Sequence, residues 1–194
     1  MSRHYKELLL GCGSSREKRI VVSTQVGGTG LPEWCDLTTL DLEPSHNPDV
    51  VADLKGDWHQ EHFAPNTFDE VHAYEVLEHL GQQGDWRTFL HDFYKIWWVL
   101  KPNGYLCATV PSRFSPWLWG DIGHTRAVLP ESLIFLSNKE YAWQIGKTAM
   151  SDYRAHWRGD FEIERSQDDK TLHRFVLRAV KPARRPEDFP TSKR

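Results

Sequence analysis

The sequence predicts a three-layer α/β/α fold: a doubly wound, mostly parallel seven-stranded sheet with a C-terminal antiparallel hairpin. First, short apolar segments that stop at glycine, proline or an acidic residue alternate with helical segments, which is typical of strands joined by crossovers. Second, these apolar segments lack strict alternation of polar and apolar residues, as expected for strands buried on both faces. Third, a short polar link at 167–170 separates the last two β-rich segments, which indicates a hairpin.

The elements follow in order along the chain. The predicted strands are 5–10, 37–42, 49–54, 68–74, 105–111, 161–165 and 172–180. A helix is predicted to begin within 75–80. A second helix is predicted after it, because large apolar side chains recur at three- and four-residue steps from Trp86 to Trp98. A Lys-Pro-Asn-Gly motif is predicted to end this helix. Between 14 and 36, β-branched residues and a glycine cluster interrupt the pattern, so the first crossover helix should be short or replaced by a loop.

The length of 194 residues predicts a single domain. We place this domain at 1–181 and expect 182–194 to be a basic, disordered tail. Within the domain, 112–157 forms a variable segment, where prolines and glycines interrupt regular structure and large aromatic residues are frequent. The sequence contains nine tryptophans, and four of them fall in this segment.

Charge and cysteine usage exclude several classes of protein. Lys plus Arg is 24 and Asp plus Glu is 27, so the net charge is −3 with histidine neutral, which makes a nucleic-acid partner unfavourable. Cys12, Cys35 and Cys107 form no CxxC pair, which argues against a disulfide scaffold or a zinc knuckle. No apolar run approaches the roughly 20 residues of a membrane span, and no signal-peptide pattern is present. We therefore expect a protein of the reducing cytoplasm with no membrane partner.

Three residue patterns at predicted strand ends indicate a ligand site. Gly11–Cys12–Gly13 follows the first strand, where glycine allows a tight turn and close approach of a ligand. Asp41 ends the second strand, where an acid can accept ribose hydroxyls, and Asp53 follows the third. Ligands in doubly wound sheets bind beyond the carboxyl ends of the strands, so the three patterns should face one crevice.

In this order, the segments resemble class I S-adenosylmethionine-dependent methyltransferases and are most similar to the small type 11 predicted methyltransferases. The matching segments are Leu8–Gly13, Leu40–Pro44, Pro48–Leu54, Phe68–Val71, Glu75–Leu80 and Val99–Tyr105. The resemblance is good from residue 5 to about residue 111, weak across 112–160, and returns in the final strand pair.

The resemblance implies S-adenosylmethionine as cofactor and S-adenosylhomocysteine as product. It assigns cofactor binding to ten residues: Gly11, Cys12 and Gly13 at the methionine, Asp41 at the ribose, Leu42, Asp53 and Leu54 at the adenine, and Ala73, Tyr74 and Glu75 near the methionine and reactive methyl. The methyl acceptor is expected to be a small molecule or carbohydrate-like compound bound under 112–157. Neither its identity nor the oligomeric state follows from the sequence.

Two histidines are candidate catalytic residues. His124 lies in the segment after the fifth strand, where it can accept a proton from a hydroxyl acceptor or anchor a loop by hydrogen bonds. His79 lies one predicted helical turn beyond Glu75. No metal is expected: His59 and His62 flank Glu61, but no HExxH pattern is present. Methyl transfer needs no metal, because the sulfonium is already activated and the protein mainly aligns the reacting groups.

The tryptophans divide into two predicted groups. Trp86, Trp97 and Trp98 should pack against the core from one helix face. The tryptophans of the variable segment 112–157, which would cap the site, can stack on an acceptor, fill a small subdomain or contact a partner. They are Trp117, Trp119, Trp143 and Trp157. The alternative to an enzyme is a non-catalytic nucleotide-fold module that uses this Trp-rich cap for partners. A nicotinamide-dependent oxidoreductase is disfavoured by Arg16, which replaces the third glycine of its fingerprint, and by the terminal hairpin.

Overall fold

The structure, a computed structural model, describes residues 4–185 and 188–189. Its strands are β1 Lys6–Leu10, β2 Asp36–Asp41, β3 Val50–Val51, β4 Phe68–Tyr74, β5 Leu100–Pro111, β6 Phe161–Asp168 and β7 Leu172–Ala179. They form one mixed sheet in the order β3-β2-β1-β4-β5-β7-β6. The first five strands pair in parallel, and β7 pairs antiparallel with both β5 and β6. The predicted fold class is confirmed.

Short helices connect the strands. The α-helices are α1 Trp58–His62, α2 Trp86–Val99, α3 Trp117–Gly120, α4 Pro130–Ile134 and α5 Asn138–Gln144, and the 3-10 turns are Thr24–Val26, Pro44–His46 and Leu77–His79. Across the part of the chain that the structure describes, no helix has both the length and the apolar character needed to cross a bilayer.

Two local predictions were wrong. The helix expected to begin within 75–80 is only the 3-10 turn at 77–79, because the backbone of Glu75 has φ +53°, in the left-handed region that ends regular structure. The fifth strand, predicted at 105–111, begins earlier, at Leu100. The Lys-Pro-Asn-Gly motif does follow the end of the long helix at Val99, but it lies inside β5, which pairs Phe68 with Leu100 and then Glu70 with Tyr105 across an irregular register. Asn103, with φ +63°, marks this bulge.

The crossover after β1 is a loop, as predicted. Its only helical residues are the 3-10 turn at 24–26. Ile20 and Val22 are buried and pack with Trp34 on one face of the sheet. The polar atoms beneath the loop pair with each other: the Lys18 ammonium lies 2.6 Å from Glu7 Oε1 on β1. Because these charges are fully buried, the pairing is needed to offset their desolvation.

The opposite face carries the larger core. The apolar stripe of α2 lies against the sheet, and Leu90, Phe93 and Ile96 are buried there. The three tryptophans predicted to pack from this helix are partly buried against the same core.

The cap, defined as residues 112–157, divides into two parts. Its second half contributes Leu133, Leu136 and Trp157 to the main core. Trp117 in the first half is 66 % exposed and Trp119 is 58 % exposed, and Trp143 is 61 % exposed. Tertiary packing thus separates Trp157, a core residue, from three tryptophans that offer aromatic surface.

Arg184, in the described part of the predicted tail, is anchored to the domain through its side chain. The Arg184 guanidinium donates to Asp160 Oδ2 at 2.6 Å and to Glu162 Oε2 at 2.7 Å. Residues 186–187 and 190–194 of the predicted disordered tail lie outside the described residues.

Candidate cofactor cleft and histidine cluster

The glycine turn after β1 bends sharply at two residues. Gly11 has φ +57° and Gly13 has φ +53°, conformations that L-residues rarely adopt. A Cβ on Gly11 would lie 2.4 Å from Val76 Cγ2, whereas a Cβ on Gly13 would meet nothing within 4 Å. Gly11 is therefore required for packing against the 76–80 segment, and Gly13 leaves its side of the turn open.

Asp41 at the end of β2 holds this turn. Its Oδ2 accepts a hydrogen bond from the Gly13 amide at 2.7 Å, and its Oδ1 accepts one from the Glu43 amide at 2.8 Å. His46 Nδ1 lies 3.2 Å from Oδ1. Although burial opposes ionisation, the amides of Glu43 and Gly13 hold the pKa of Asp41 below its ordinary value. The carboxylate is thus ionised and fixed in position.

Arg16 ties the same turn to the segment after β2. One guanidinium nitrogen donates to the Gly13 carbonyl at 2.7 Å, and the other donates to the His46 carbonyl at 2.8 Å. In the sequence, Arg16 served only as evidence against a dinucleotide fingerprint. In the structure it connects the glycine turn to the segment after β2.

A cleft of about 230 Å³ opens between the turn and the end of β4. Its walls are Leu9, Gly11, Cys12, Gly13, Ser14, Ser15, Glu17, Arg19, Tyr74 and Glu75. Five predicted site residues therefore meet in one cavity, at the carboxyl ends of parallel strands where ligands bind in such sheets.

An ion pair crosses this cleft. The Arg19 guanidinium contacts Glu75 Oε2 directly, while the Thr109 hydroxyl donates to Glu75 Oε1 at 2.5 Å. Arg19 also lies over the Tyr74 ring, 5.3 Å from its centroid. Sequence reasoning missed Arg19, because it belongs to the loop between 14 and 36, where no periodic pattern assigns a direction to any side chain.

The remaining predicted cofactor residues lie outside these walls. The side chain of Leu42 is 64 % exposed beyond β2. Asp53 is exposed and accepts from the Lys55 amide at 2.9 Å. Leu54 is buried in the main core, and Ala73 is fully buried within β4.

The two candidate catalytic histidines lie together. The ring centroids of His79 and His124 are 4.7 Å apart. His79 Nδ1 lies 3.0 Å from the Gly123 carbonyl oxygen, and His124 Nδ1 lies 3.1 Å from the Leu118 carbonyl oxygen. Because a carbonyl only accepts, each Nδ1 carries a proton, so in the neutral form of each ring the lone pair lies on Nε2. The loop-anchoring role and a chemical role for His124 are compatible.

Glu78 completes this cluster. Its side chain is fully buried, and neither carboxylate oxygen has a hydrogen-bond partner among the described residues. His124 Nε2 lies 4.0 Å from Glu78 Oε1. Burial raises the pKa of the Glu78 carboxyl to about 8, and the charges of Glu75 and Asp121 raise it as well. Glu78 lies in the Glu75–Leu80 segment that carries the resemblance, but no role was predicted for it, because its contact with His124 forms only in the fold.

Comparisons with known proteins define the fold but not a close relative. No model of a known protein family matches the chain, and no curated protein matches it. Among solved structures, it is similar to an S-adenosylmethionine-dependent methyltransferase from Archaeoglobus fulgidus, at 14 % identity and a TM-score of 0.52, over 90 % of this chain and 86 % of that one. It is equally similar to a Haloferax volcanii putative methyltransferase in complex with the activator Trm112, at 14 % identity and a TM-score of 0.52, over 92 % of this chain and 84 % of that one. The chain thus has the class I methyltransferase fold.

Proposed function

We propose that this chain binds S-adenosylmethionine in the cleft beyond β1 and β4 and transfers its methyl group to a small-molecule or carbohydrate-like acceptor under the cap. The observation that carries the proposal is the 2.7 Å hydrogen bond between the Gly13 amide and Asp41, which joins the glycine turn to the acid at the next strand end. In a methyltransferase fold, this arrangement supports cofactor binding. The small type 11 methyltransferases remain the proposed subgroup.

The adenosine end of the cofactor is assigned to Asp41, Leu42 and the segment at Asp53–Leu54. An ionised carboxylate offers about four acceptor positions. The contacts from Gly13, Glu43 and His46 use three of them. One ribose hydroxyl can then bind without disturbing the turn, and a second would replace His46.

The methionine end is assigned to Gly11, Cys12 and Gly13 on one side of the cleft and to Ala73, Tyr74 and Glu75 on the other. The amino acid part of the cofactor carries one carboxylate and one ammonium. The cleft already holds a matching pair of opposite charges, since Arg19 faces Glu75 across it. We infer that Arg19 binds the carboxylate and Glu75 binds the ammonium, so the bound cofactor replaces the ion pair with two charge-assisted contacts.

The reaction requires alignment rather than a protein nucleophile. A lone pair of the acceptor attacks the methyl carbon, the carbon–sulfur bond breaks, and its electrons remain on sulfur in S-adenosylhomocysteine. The acceptor must also lose a proton. His79 and His124 are our predicted catalytic side chains for this step, because their cluster begins three residues beyond Glu75 at the cleft.

Binding calorimetry with S-adenosylmethionine, S-adenosylhomocysteine and NAD tests the proposal. We expect both adenosyl ligands to bind with one-to-one stoichiometry and NAD not to bind. Binding of NAD alone would instead identify a nicotinamide enzyme, and the absence of all binding would remove the catalytic assignment.

A second candidate function is a non-catalytic module that binds a partner through its cap. The exposed aromatic surface at Phe114, Trp117 and Trp119 favours it. One structural neighbour was solved with the activator Trm112. This candidate predicts that the folded protein binds a partner but neither adenosyl ligand, so the same calorimetry separates the two functions.

A further inference from the structure

The buried carboxylate of Glu78 lacks a partner of the kind that its position requires. Burying a charge is costly unless it is paired or coordinates a metal. Both oxygens of Glu78 are enclosed by protein, yet the described residues supply neither a hydrogen-bond donor nor an ion pair with Lys or Arg. The groups nearest to it in the cluster are the two imidazoles.

Within residues 4–185 and 188–189, Glu78, His79 and His124 form one of two groups with metal-ligand chemistry and suitable spacing. One ligand atom from each residue lies within 4.8 Å of the other two. The other group is Glu70, His72 and Cys107. That second group is already satisfied, because His72 Nε2 lies 2.9 Å from Glu70 Oε2 and the Lys18 ammonium lies 3.7 Å from the same oxygen.

The histidines are oriented as metal ligands usually are. A ligating imidazole commonly donates its other ring N–H to a backbone carbonyl, which fixes the ring and the tautomer. His79 and His124 both do this, towards the Gly123 and Leu118 carbonyls. The Glu78 carbonyl accepts from the Thr125 amide at 2.9 Å, so the segment that carries His124 is held against the turn that carries the other two residues.

We propose that Glu78, His79 and His124 bind a divalent transition-metal ion through one carboxylate oxygen and two imidazole nitrogens. This donor set is that of catalytic zinc sites and of non-haem iron(II) sites, both of which keep open positions for other ligands. The proposal departs from the sequence-based expectation of no metal. No local sequence pattern indicates this metal site, because His124 is separated from Glu78 by 46 residues and meets it only through tertiary contacts.

A metal here has a chemical use that rests on the proposed function. With the ion bound, His79 and His124 act as its ligands and not as bases. An acceptor hydroxyl that coordinates the ion then loses its proton to solvent more readily, because the cation stabilises the oxyanion. The methyl acceptor would then be a compound that presents an oxygen to the metal, next to the methionine end of the cleft. Binding of the ion itself does not depend on this use.

The first experiment measures metal binding without any substrate. The full chain is treated with a chelator and titrated with Co²⁺, whose visible absorption reports the ligand set, and with Zn²⁺ in competition with a chromophoric chelator. We expect one ion per chain and a nitrogen–oxygen spectrum without a thiolate charge-transfer band. A thiolate band that disappears in Cys107→Ser would place the ion in the other group and overturn the proposal.

Three variants and one control locate the site. Glu78→Gln, His79→Ala and His124→Ala should each weaken Zn²⁺ binding at least tenfold. His91→Ala, which removes a half-exposed histidine on α2, should leave it unchanged. Glu78→Gln should also leave the metal-free protein folded, because the amide has the same shape as the carboxyl and carries no charge, so the unfolding temperature of the metal-free protein should not fall. Equal Zn²⁺ affinity in all four variants and the unmodified chain would overturn the proposal.

The same samples separate this proposal from the proposed function. Zn²⁺ binding at this cluster without S-adenosylhomocysteine binding would overturn the methyltransferase assignment alone. S-adenosylhomocysteine binding with no metal uptake would overturn the metal site alone and leave Glu78 as a carboxyl that folds in its neutral form.

Discussion

The Gly13 amide donates a hydrogen bond of 2.7 Å to Asp41 Oδ2, across 28 residues of sequence. This contact links the carboxyl ends of two adjacent parallel strands, β1 and β2. Arg16 strengthens the link from the other side by binding the Gly13 carbonyl. The glycine turn therefore keeps its shape without a helix after it, and the acid has a role in building the cleft as well as in binding.

Replacing Asp41 by alanine should weaken S-adenosylhomocysteine binding by about 1.5–3 kcal/mol, the scale of hydrogen bonds to a charged group. Asp41→Asn should fall between Asp41→Ala and the unmodified chain, since the amide keeps one acceptor oxygen. Asp36→Asn, at the opposite end of β2, serves as the control and should bind normally. Calorimetry measures all four proteins. Unchanged affinity in a folded Asp41→Ala protein would remove Asp41 from the site.

Arg19→Gln should weaken S-adenosylhomocysteine binding about 10- to 100-fold, because the methionine carboxylate loses its cation. It should not change binding of 5′-methylthioadenosine, which lacks the amino acid group. Asp41→Asn should weaken the binding of both ligands. Arg87→Gln, on α2, should weaken the binding of neither ligand and serves as the control. Equal losses for the two ligands in Arg19→Gln would show that Arg19 shapes the cleft rather than binding the carboxylate.

Gly11→Ala should destabilise the protein more than Gly13→Ala. Both substitutions force a left-handed backbone, at about 1–2 kcal/mol each, but only the Cβ on residue 11 meets Val76, at 2.4 Å. Denaturant unfolding of the two variants measures the difference. Adding Val76→Ala to Gly11→Ala should recover the steric part and leave the backbone part. If Val76→Ala gives no relief, the clash with Val76 is not the cause.

The contribution of His173 to the free energy of unfolding should begin to fall as the pH drops below about 6.5. Burial lowers the pKa of His173, whose Nδ1 lies 2.9 Å from the Val128 carbonyl and whose Nε2 lies 2.9 Å from the Ser166 hydroxyl. Below the pKa of the unfolded state, His173 binds a proton in the unfolded chain but not in the native state. The stabilisation from neutral, buried His173 is therefore present above about pH 6.5 and is lost below it.

The contribution of His173 should reach about 1.4 kcal/mol per pH unit below that point. His173→Gln should reduce the slope of unfolding free energy against pH by this amount. His91→Gln, at a half-exposed position, should retain the slope of the unmodified chain. Urea unfolding from pH 5 to pH 8 provides the measurement. An identical slope in His173→Gln would mean that His173 does not titrate differently in the two states.

The cap should exchange its amide hydrogens in two parts. The first half, with exposed Trp117 and Trp119 between prolines and glycines, should exchange quickly and become protected when S-adenosylhomocysteine or an acceptor binds. The second half should exchange slowly throughout, since Leu133 and Trp157 belong to the main core. Slow exchange across all of 112–157 in both states would contradict a mobile lid.

The sequence was sufficient to predict the mostly parallel sheet, its seven strands along the chain and the C-terminal hairpin. Apolar segments and their stop signals depend on local residues, so the strands at Lys6–Leu10 and Phe68–Tyr74 were found almost to the residue. The absence of an α-helix between 14 and 36 could also be predicted from local residues, because β-branched residues and glycines disfavour α-helix wherever they occur. The left-handed Glu75 was not predictable, since its conformation depends on how the chain leaves β4 and carries no signature in its neighbours.

By itself, the sequence determined the fold class, the glycine turn and the acid at the end of β2, because each follows from residue type at short range. Only the tertiary structure decided which side chains meet. It placed Arg19 opposite Glu75, buried Leu54 in the core, and brought His124 to 4.0 Å from Glu78. These relationships join residues far apart in sequence, and they depend on the packing of the loop and the cap on the sheet, which no local pattern encodes.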